Sequence, residues 1–182
     1  MSIRNRLAWR AKLLRSAENS PFIPWLRDRG SLTAHLQARG PFVVRVLRQK
    51  LAMPTIDEAI ALGIKRDQLA WVREVVLLCA GEPLVYAHSV LPCRPRGPMT
   101  RWLARLGNRS LGALLFAHPG FARGAIHGKR LDHRHALFYA ALEAMCITDA
   151  PPPHLWARRS RFAFGAQSVL VTEVFAPALI CA

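Results

Sequence analysis

Apolar positions along the chain recur with two periods. Residues 41–50 alternate and are rich in valine, the period-two signature of a strand. The same signature fills residues 69–79 and 84–91 on either side of Ala80-Gly81-Glu82-Pro83. It returns in 157–164 and 168–176 around Gly165-Ala166-Gln167, so two hairpins are predicted. Residues 121–131 read as a further strand. Helical spacing and end signals mark short helices between them. Ser31 caps one that runs to residue 39 and is closed by Gly40, and a second covers 57–62 up to Gly63. Others cover 100–106 up to Gly107, a stretch capped by Ser110 that runs to residue 116, and 136–145. Ile3, Leu7, Ala11 and Leu14 share helical spacing among Arg4, Arg6, Arg10, Lys12 and Arg15. That arginine-rich start resembles an organelle-targeting segment, but it reads better as a first helix laying an apolar stripe on the core.

Strands joined by tight turns pair antiparallel. The expected class is α+β: a single antiparallel sheet with helices packed on one side. At 182 residues the chain suits one domain, residues 1–182. Pro151-Pro152-Pro153 shapes a loop, since too little chain follows it to build a second unit.

Alternation also sorts the charges. Trp71, Arg73, Val75 and Leu77 share one strand face, while Val72, Glu74, Val76 and Leu78 share the other. In the last strand Val169, Val171, Glu173 and Phe175 share a face, and Glu173 is that segment's only charge. A charge on a buried face needs a partner. Arg73 and Glu173 could form a structural salt bridge, with Glu74 as another partner or an edge residue. Alternatively, they could be two walls of a pocket, Arg73 for an anion and Glu173 for a proton or hydroxyl. Periodicity leaves both open.

Composition narrows the class. With 52% hydrophobic residues and a mean hydropathy of +0.13, the chain is too apolar for disorder. No run approaches the roughly 18 apolar residues of a membrane span, so a soluble protein is expected. The net charge is +15, but the arginines are scattered and only Arg158, Arg159 and Arg161 lie close together. A nucleic-acid face would cluster its charge and interleave aromatics, so nucleic acid is not the expected partner. Cys79, Cys93, Cys146 and Cys181 form no C-x-x-C pair, which argues against a zinc site and for a reducing, cytoplasmic setting. His127, His133 and His135 are read as exposed loop residues rather than metal ligands.

Three segments in order resemble the chorismate pyruvate-lyase family. They are Trp71-Val72-Arg73-Glu74-Val75 running to Gly81-Glu82-Pro83, then Leu106-Gly107-Asn108-Arg109-Ser110-Leu111-Gly112 ending in Leu115-Phe116, then Leu155-Trp156-Ala157-Arg158-Arg159-Ser160-Arg161 followed by Leu170-Val171-Thr172-Glu173-Val174-Phe175. The resemblance covers residues 25–178 and implies an antiparallel sheet closed over a ligand. It implies that Arg73 grips a ligand carboxylate, that the Leu111 backbone amide contacts the same carboxylate, and that Glu173 stands at the far end near the ring oxygen. Ser31-Leu32-Thr33 matches a flap segment, where Leu32 replaces the family's methionine. Residues 124–153 are longer than in the shortest members.

The implied reaction is cleavage of chorismate to 4-hydroxybenzoate and pyruvate on the way to ubiquinone. Aromatisation drives it, so neither cofactor nor metal is expected. The enzyme must orient the substrate and stabilise shifting charge. A protonated Glu173 donates to the ether oxygen, whereas an ionised one accepts from the product hydroxyl; the sequence leaves both open. The protein is expected to act as a monomer on a small molecule, with no membrane insertion. The alternative is a non-catalytic aromatic-acid sensor, because effector domains of some transcription regulators resemble the lyase fold. Residues 1–25 are too short for the DNA-binding segment such proteins carry.

Overall fold

The computed structural model describes residues 8–65 and 67–181. Seven strands form one antiparallel sheet: β1 (Phe42–Ala52), β2 (Ala70–Cys79), β3 (Glu82–Pro92), β4 (Ala122–Arg123), β5 (His127–Leu131), β6 (Leu155–Phe164) and β7 (Gln167–Phe175). Their order is β1-β2-β3-β7-β6-β4, and β5 also pairs with β6. Among the described residues the α-helices are α1 (Ile23–Arg27), α2 (Leu32–Gln37), α3 (Ile56–Leu62), α4 (Pro98–Ala104), α5 (Leu111–Ala117) and α6 (Ala136–Ala144). The expected α+β class and single antiparallel sheet are present.

Helices α1, α2, α4 and α5 close over one face. Leu32 and Leu36 pack on Val75, Leu77 and Ala87, and Met99, Leu103 and Leu115 pack on Leu91, Phe162 and Val169. The opposite face carries α3 and α6, the latter through Leu137, Phe138, Ala141 and Leu142 against Tyr86, Ala157 and Val174.

Helices thus pack on both faces of the sheet rather than on the one expected, and three further expectations are corrected. Residues 8–15 form no helix but a β-bridge at Arg10 followed by a bend at Ala11 and Lys12, and residues 1–7 of that expected helix lie outside the described residues. Arg10 and Gly128 exchange two backbone hydrogen bonds of 3.0 and 2.9 Å, which fixes the chain as a strap across β5. Residues 121–131 form two strands, not one. Ala122 and Arg123 pair with Ala163 and Phe162, whereas His127 pairs with Arg159, so the register slips by one residue between them. The last hairpin turns on two residues, because Gln167 already pairs with Phe164.

The far face buries an ionic network. Glu74, buried rather than at an edge, accepts from Arg48 at 2.6 Å and lies 3.0 Å from His88 Nδ1. The other His88 nitrogen lies 3.3 Å from Glu58, close enough for an ion pair though not aligned as a hydrogen bond. Burial alone would lower the His88 pKa, but the close Glu58 and Glu74 carboxylates outweigh it and push it up to about 9. Burial likewise opposes the Glu74 carboxylate, yet His88 and Arg48 hold its pKa at about 2. A free imidazole titrates near 6.5, so the stability His88 contributes is complete below that pH and is lost as pH rises through about 9. The Glu74 contribution runs the other way. It is present above 4.5 and lost as pH falls through about 2. In thermal melts, Tm is therefore expected to fall between pH 6.5 and 9, and His88→Gln is expected to flatten that slope. A parent protein with a level Tm across this interval would contradict the account.

Candidate active site

Leu32, Arg73, Leu111 and Glu173 line one cavity between the sheet and helices α2 and α5. Its floor follows from strand pairing. Arg73 pairs with Ser89 and Ser89 with Val171, while Val75 pairs with Ala87 and Ala87 with Glu173. Residues opposite one another in an antiparallel pair share a face. Small side chains at Ala87 and Ser89 leave open the space between the two charges, which stand roughly 12 Å apart at their Cα atoms by strand spacing and rise.

The roof is clasped rather than merely packed. Ser31 caps α2 and Ser110 caps α5, accepting from Ala34 and Ala113 respectively at 3.3 Å each. The Thr33 and Ser110 hydroxyls share a 2.6 Å hydrogen bond. Gly112 permits this approach, since a Cβ there would stand 3.2 Å from Thr33 Oγ1. Leu111 follows the cap directly. Its amide is one of the first-turn donors that a helix leaves without an internal acceptor.

Arg73 and Glu173 do not form a salt bridge with each other. Arg73, only 2% exposed, donates to Gln49 Oε1 at 2.5 Å, Gly107 O at 2.8 Å and Arg109 O at 3.1 Å. All three acceptors are neutral, and among the described residues no carboxylate lies within ion-pair distance. Desolvation by burial lowers its pKa. The guanidinium is thus held by dipoles, with its charge unanswered on the cavity wall. Gln49 is itself tied to α4, donating to Leu103 O at 3.0 Å.

Glu173 is paired with Arg158, which the sequence reading did not single out. Arg158 Nε donates to Glu173 Oε2 at 2.5 Å, and Nη1 donates to Trp25 O at 2.6 Å and Asp28 O at 2.8 Å. The pairing follows from the hairpin. A two-residue turn places Arg158 opposite Glu173, whereas the three-residue turn read from the sequence places Arg159 there. Gly165 marks the true turn, because its φ of 55° is what the first central position of a type II′ turn requires. Arg159 points instead to the far face and donates to Asp57 at 3.0 Å.

Arg123 also lines the cavity and was missed. Its guanidinium carbon lies over the rings of Phe116 and Phe162, 5.4 and 5.2 Å from their centroids, and the two rings themselves meet edge to face. Nε donates to Ser160 Oγ at 3.0 Å, and Nη1 donates to Arg29 O at 2.9 Å and Gly30 O at 3.3 Å.

His135 is buried rather than exposed. It caps α6, accepting from Leu137 at 3.2 Å, and its other nitrogen lies 3.5 Å from Asp57. Among the described residues no three histidine, cysteine or carboxylate groups gather as a metal site, and no helix is long and apolar enough to cross a membrane.

Comparison with known proteins gives the family. The family profile described as "Chorismate lyase" matches residues 4–181. A protein of Dechloromonas aromatica named "Probable chorismate pyruvate-lyase" is 46% identical over 175 residues, 96% of this chain and 97% of its own. One of the same name from Aromatoleum aromaticum is 44% identical, covering 86% of this chain and 85% of its own. Among solved structures, the C-terminal domain of the histidine utilization repressor of Pseudomonas syringae is similar with a TM-score of 0.53 at 13% identity, over 76% of this chain and 93% of that one. A GntR-family regulator of Bacillus cereus has a TM-score of 0.54 at 11% identity, over 75% of this chain and 92% of that one. At such identities these regulators share the fold alone, whereas the sequence relatives share family. The chain belongs to the chorismate lyase family.

Proposed function

We propose that the chain is a chorismate pyruvate-lyase, a carbon–oxygen lyase that releases 4-hydroxybenzoate and pyruvate and needs no cofactor. The carrying observation is Arg73, a buried guanidinium on a cavity wall with neutral acceptors and no carboxylate of its own. Burying such a charge is costly unless an anion completes it. A ring carboxylate does so through the N–H groups that Gln49, Gly107 and Arg109 leave free on Nε and Nη1, and the Leu111 amide adds a further donor.

The ring then spans the small residues Ala87 and Ser89 beneath Leu32, and its oxygen-bearing edge meets Glu173. In the reaction the ether C–O bond breaks, the hydroxyl-bearing ring carbon loses its hydrogen as a proton, and the departing enolate takes a proton at its methylene carbon to become pyruvate. The ring becomes aromatic, so the protein's task is orientation and charge stabilisation. Arg158 bonds one oxygen of Glu173. The other accepts no hydrogen bond among the described residues and is the atom available to the substrate.

The chain is read as one domain acting as a monomer on this small molecule, not on nucleic acid. Four free thiols agree with a cytoplasmic setting, and the product is one that ubiquinone synthesis uses. A coupled pyruvate assay with chorismate tests the reading. Equal turnover with and without chelator is expected. Binding of 4-hydroxybenzoate with no pyruvate released from chorismate would instead assign a sensor.

A further inference from the structure

We propose that Arg123 binds the second carboxylate of the substrate, the one on the enolpyruvyl group, and so distinguishes substrate from product. This rests on the lyase reading above and assigns it a further binding residue. The charge balance of the cavity motivates it. Three ionic side chains line the walls: Arg73, Arg123 and Glu173. Arg158 answers Glu173. Arg73 and Arg123 are answered by no carboxylate within ion-pair distance among the described residues, which leaves two cationic groups for a substrate with two carboxylates.

Placement supports the same conclusion. Arg123 rests on Ser160, and Ser160, Val171, Ser89 and Arg73 form one cross-strand row. Ser160 therefore holds Arg123 over the end of that row, three strand spacings or about 14 Å from Arg73 at the backbone, while Arg123 itself stands on β4, one strand further out and opposite Phe162. Glu173 projects from the neighbouring row, on the Arg123 side. A ring carboxylate on Arg73 thus directs the ether-bearing edge toward both Glu173 and Arg123. The Arg123 fork is already oriented: Nε and Nη1 are spent on Ser160 and the carbonyls of Arg29 and Gly30, and Nη2 makes no hydrogen bond among the described residues. Its guanidinium rests against the Phe116 and Phe162 rings, which positions the group while leaving it no counter-ion.

The product keeps only the ring carboxylate, so the two arginines have separable signatures. Arg123→Met retains the packed stem and removes the charge. It is expected to raise KM for chorismate by roughly tenfold to hundredfold, with Ki for 4-hydroxybenzoate within about threefold of the parent. Arg123→Lys keeps a point charge without the fork and is expected to fall between the two, again with Ki preserved. Should the methionine variant fail to fold, the lysine variant carries the same comparison. A folded variant with unchanged KM, or with Ki rising in step with KM, overturns the assignment, because the second pattern marks general damage to the pocket. If the parent releases no pyruvate, the lyase reading fails separately. Tryptophan-fluorescence titration with chorismate and with 4-hydroxybenzoate then decides Arg123 by the same ratio of affinities.

Discussion

Replacing Arg73 by alanine is expected to raise KM for chorismate at least a hundredfold and to weaken 4-hydroxybenzoate by a similar factor. A charge-assisted contact to a carboxylate in a buried site is worth about 3 kcal/mol, close to a hundredfold in affinity. The loss falls on substrate and product alike, since both carry the ring carboxylate that Arg73 meets. The thermal signature follows by linkage. 4-Hydroxybenzoate should raise the Tm of the parent and leave that of Arg73→Ala nearly unmoved at the same concentration. Unaltered KM in the folded variant would remove the anion site from Arg73. Three acceptors, Gln49 Oε1, Gly107 O and Arg109 O, also lose their donor in this variant, so some loss of stability is expected in addition.

The second large effect is expected at Glu173. Glutamine there preserves size and one acceptor for Arg158 but removes the negative charge and the ability to exchange a proton. If Glu173 assists departure of the enolpyruvyl group, kcat should fall by roughly a hundredfold or more, the usual range for a positioned acid or base, with KM little changed. A raised KM at unchanged kcat would reduce Glu173 to a binding group. Arg158, only 1% exposed, loses its closest counter-ion in this variant, and Asp28 at 3.9 Å is a poor substitute. The melting point should therefore drop, and kcat must be referred to folded protein. With Arg123 the three side chains give three patterns: both affinities lost at Arg73, only the substrate's at Arg123, and turnover at Glu173.

The regulators that share this fold show why the site, not the sheet, assigns function. Their likeness is one of fold alone. Chemistry in this chain depends on which side chains reach the cavity, and that is decided residue by residue.

Much of this was legible in the chain itself. Alternation in β2 and β7 placed Arg73 and Glu173 on apolar faces, and each proved to line the cavity. Cap residues located α2 and α5, because a serine oxygen that accepts from the third following amide is a local interaction needing no distant partner. The family segments added Leu32 and Leu111, and both line the same space. Partners were another matter. In β1 an extra residue at Leu47 shifts the pairing between Val46 and Arg48, which turns Gln49 toward Arg73 and sends Arg48 to Glu74 on the other face. A one-residue slip between β4 and β5 does the same near Arg123, aiming it into the cavity while Lys129 faces away. The last hairpin turns on two residues rather than three, and that choice gave Glu173 to Arg158 instead of Arg159. Periodicity counts residues along one strand and so fixes which neighbours in that strand share a face. Bulges and turn lengths reset the count between strands, and they are settled only when backbone hydrogen bonds form between segments distant in the chain. The sequence alone therefore determined the elements and the two facing charges, while tertiary pairing decided what neutralises each charge and what is left for the substrate.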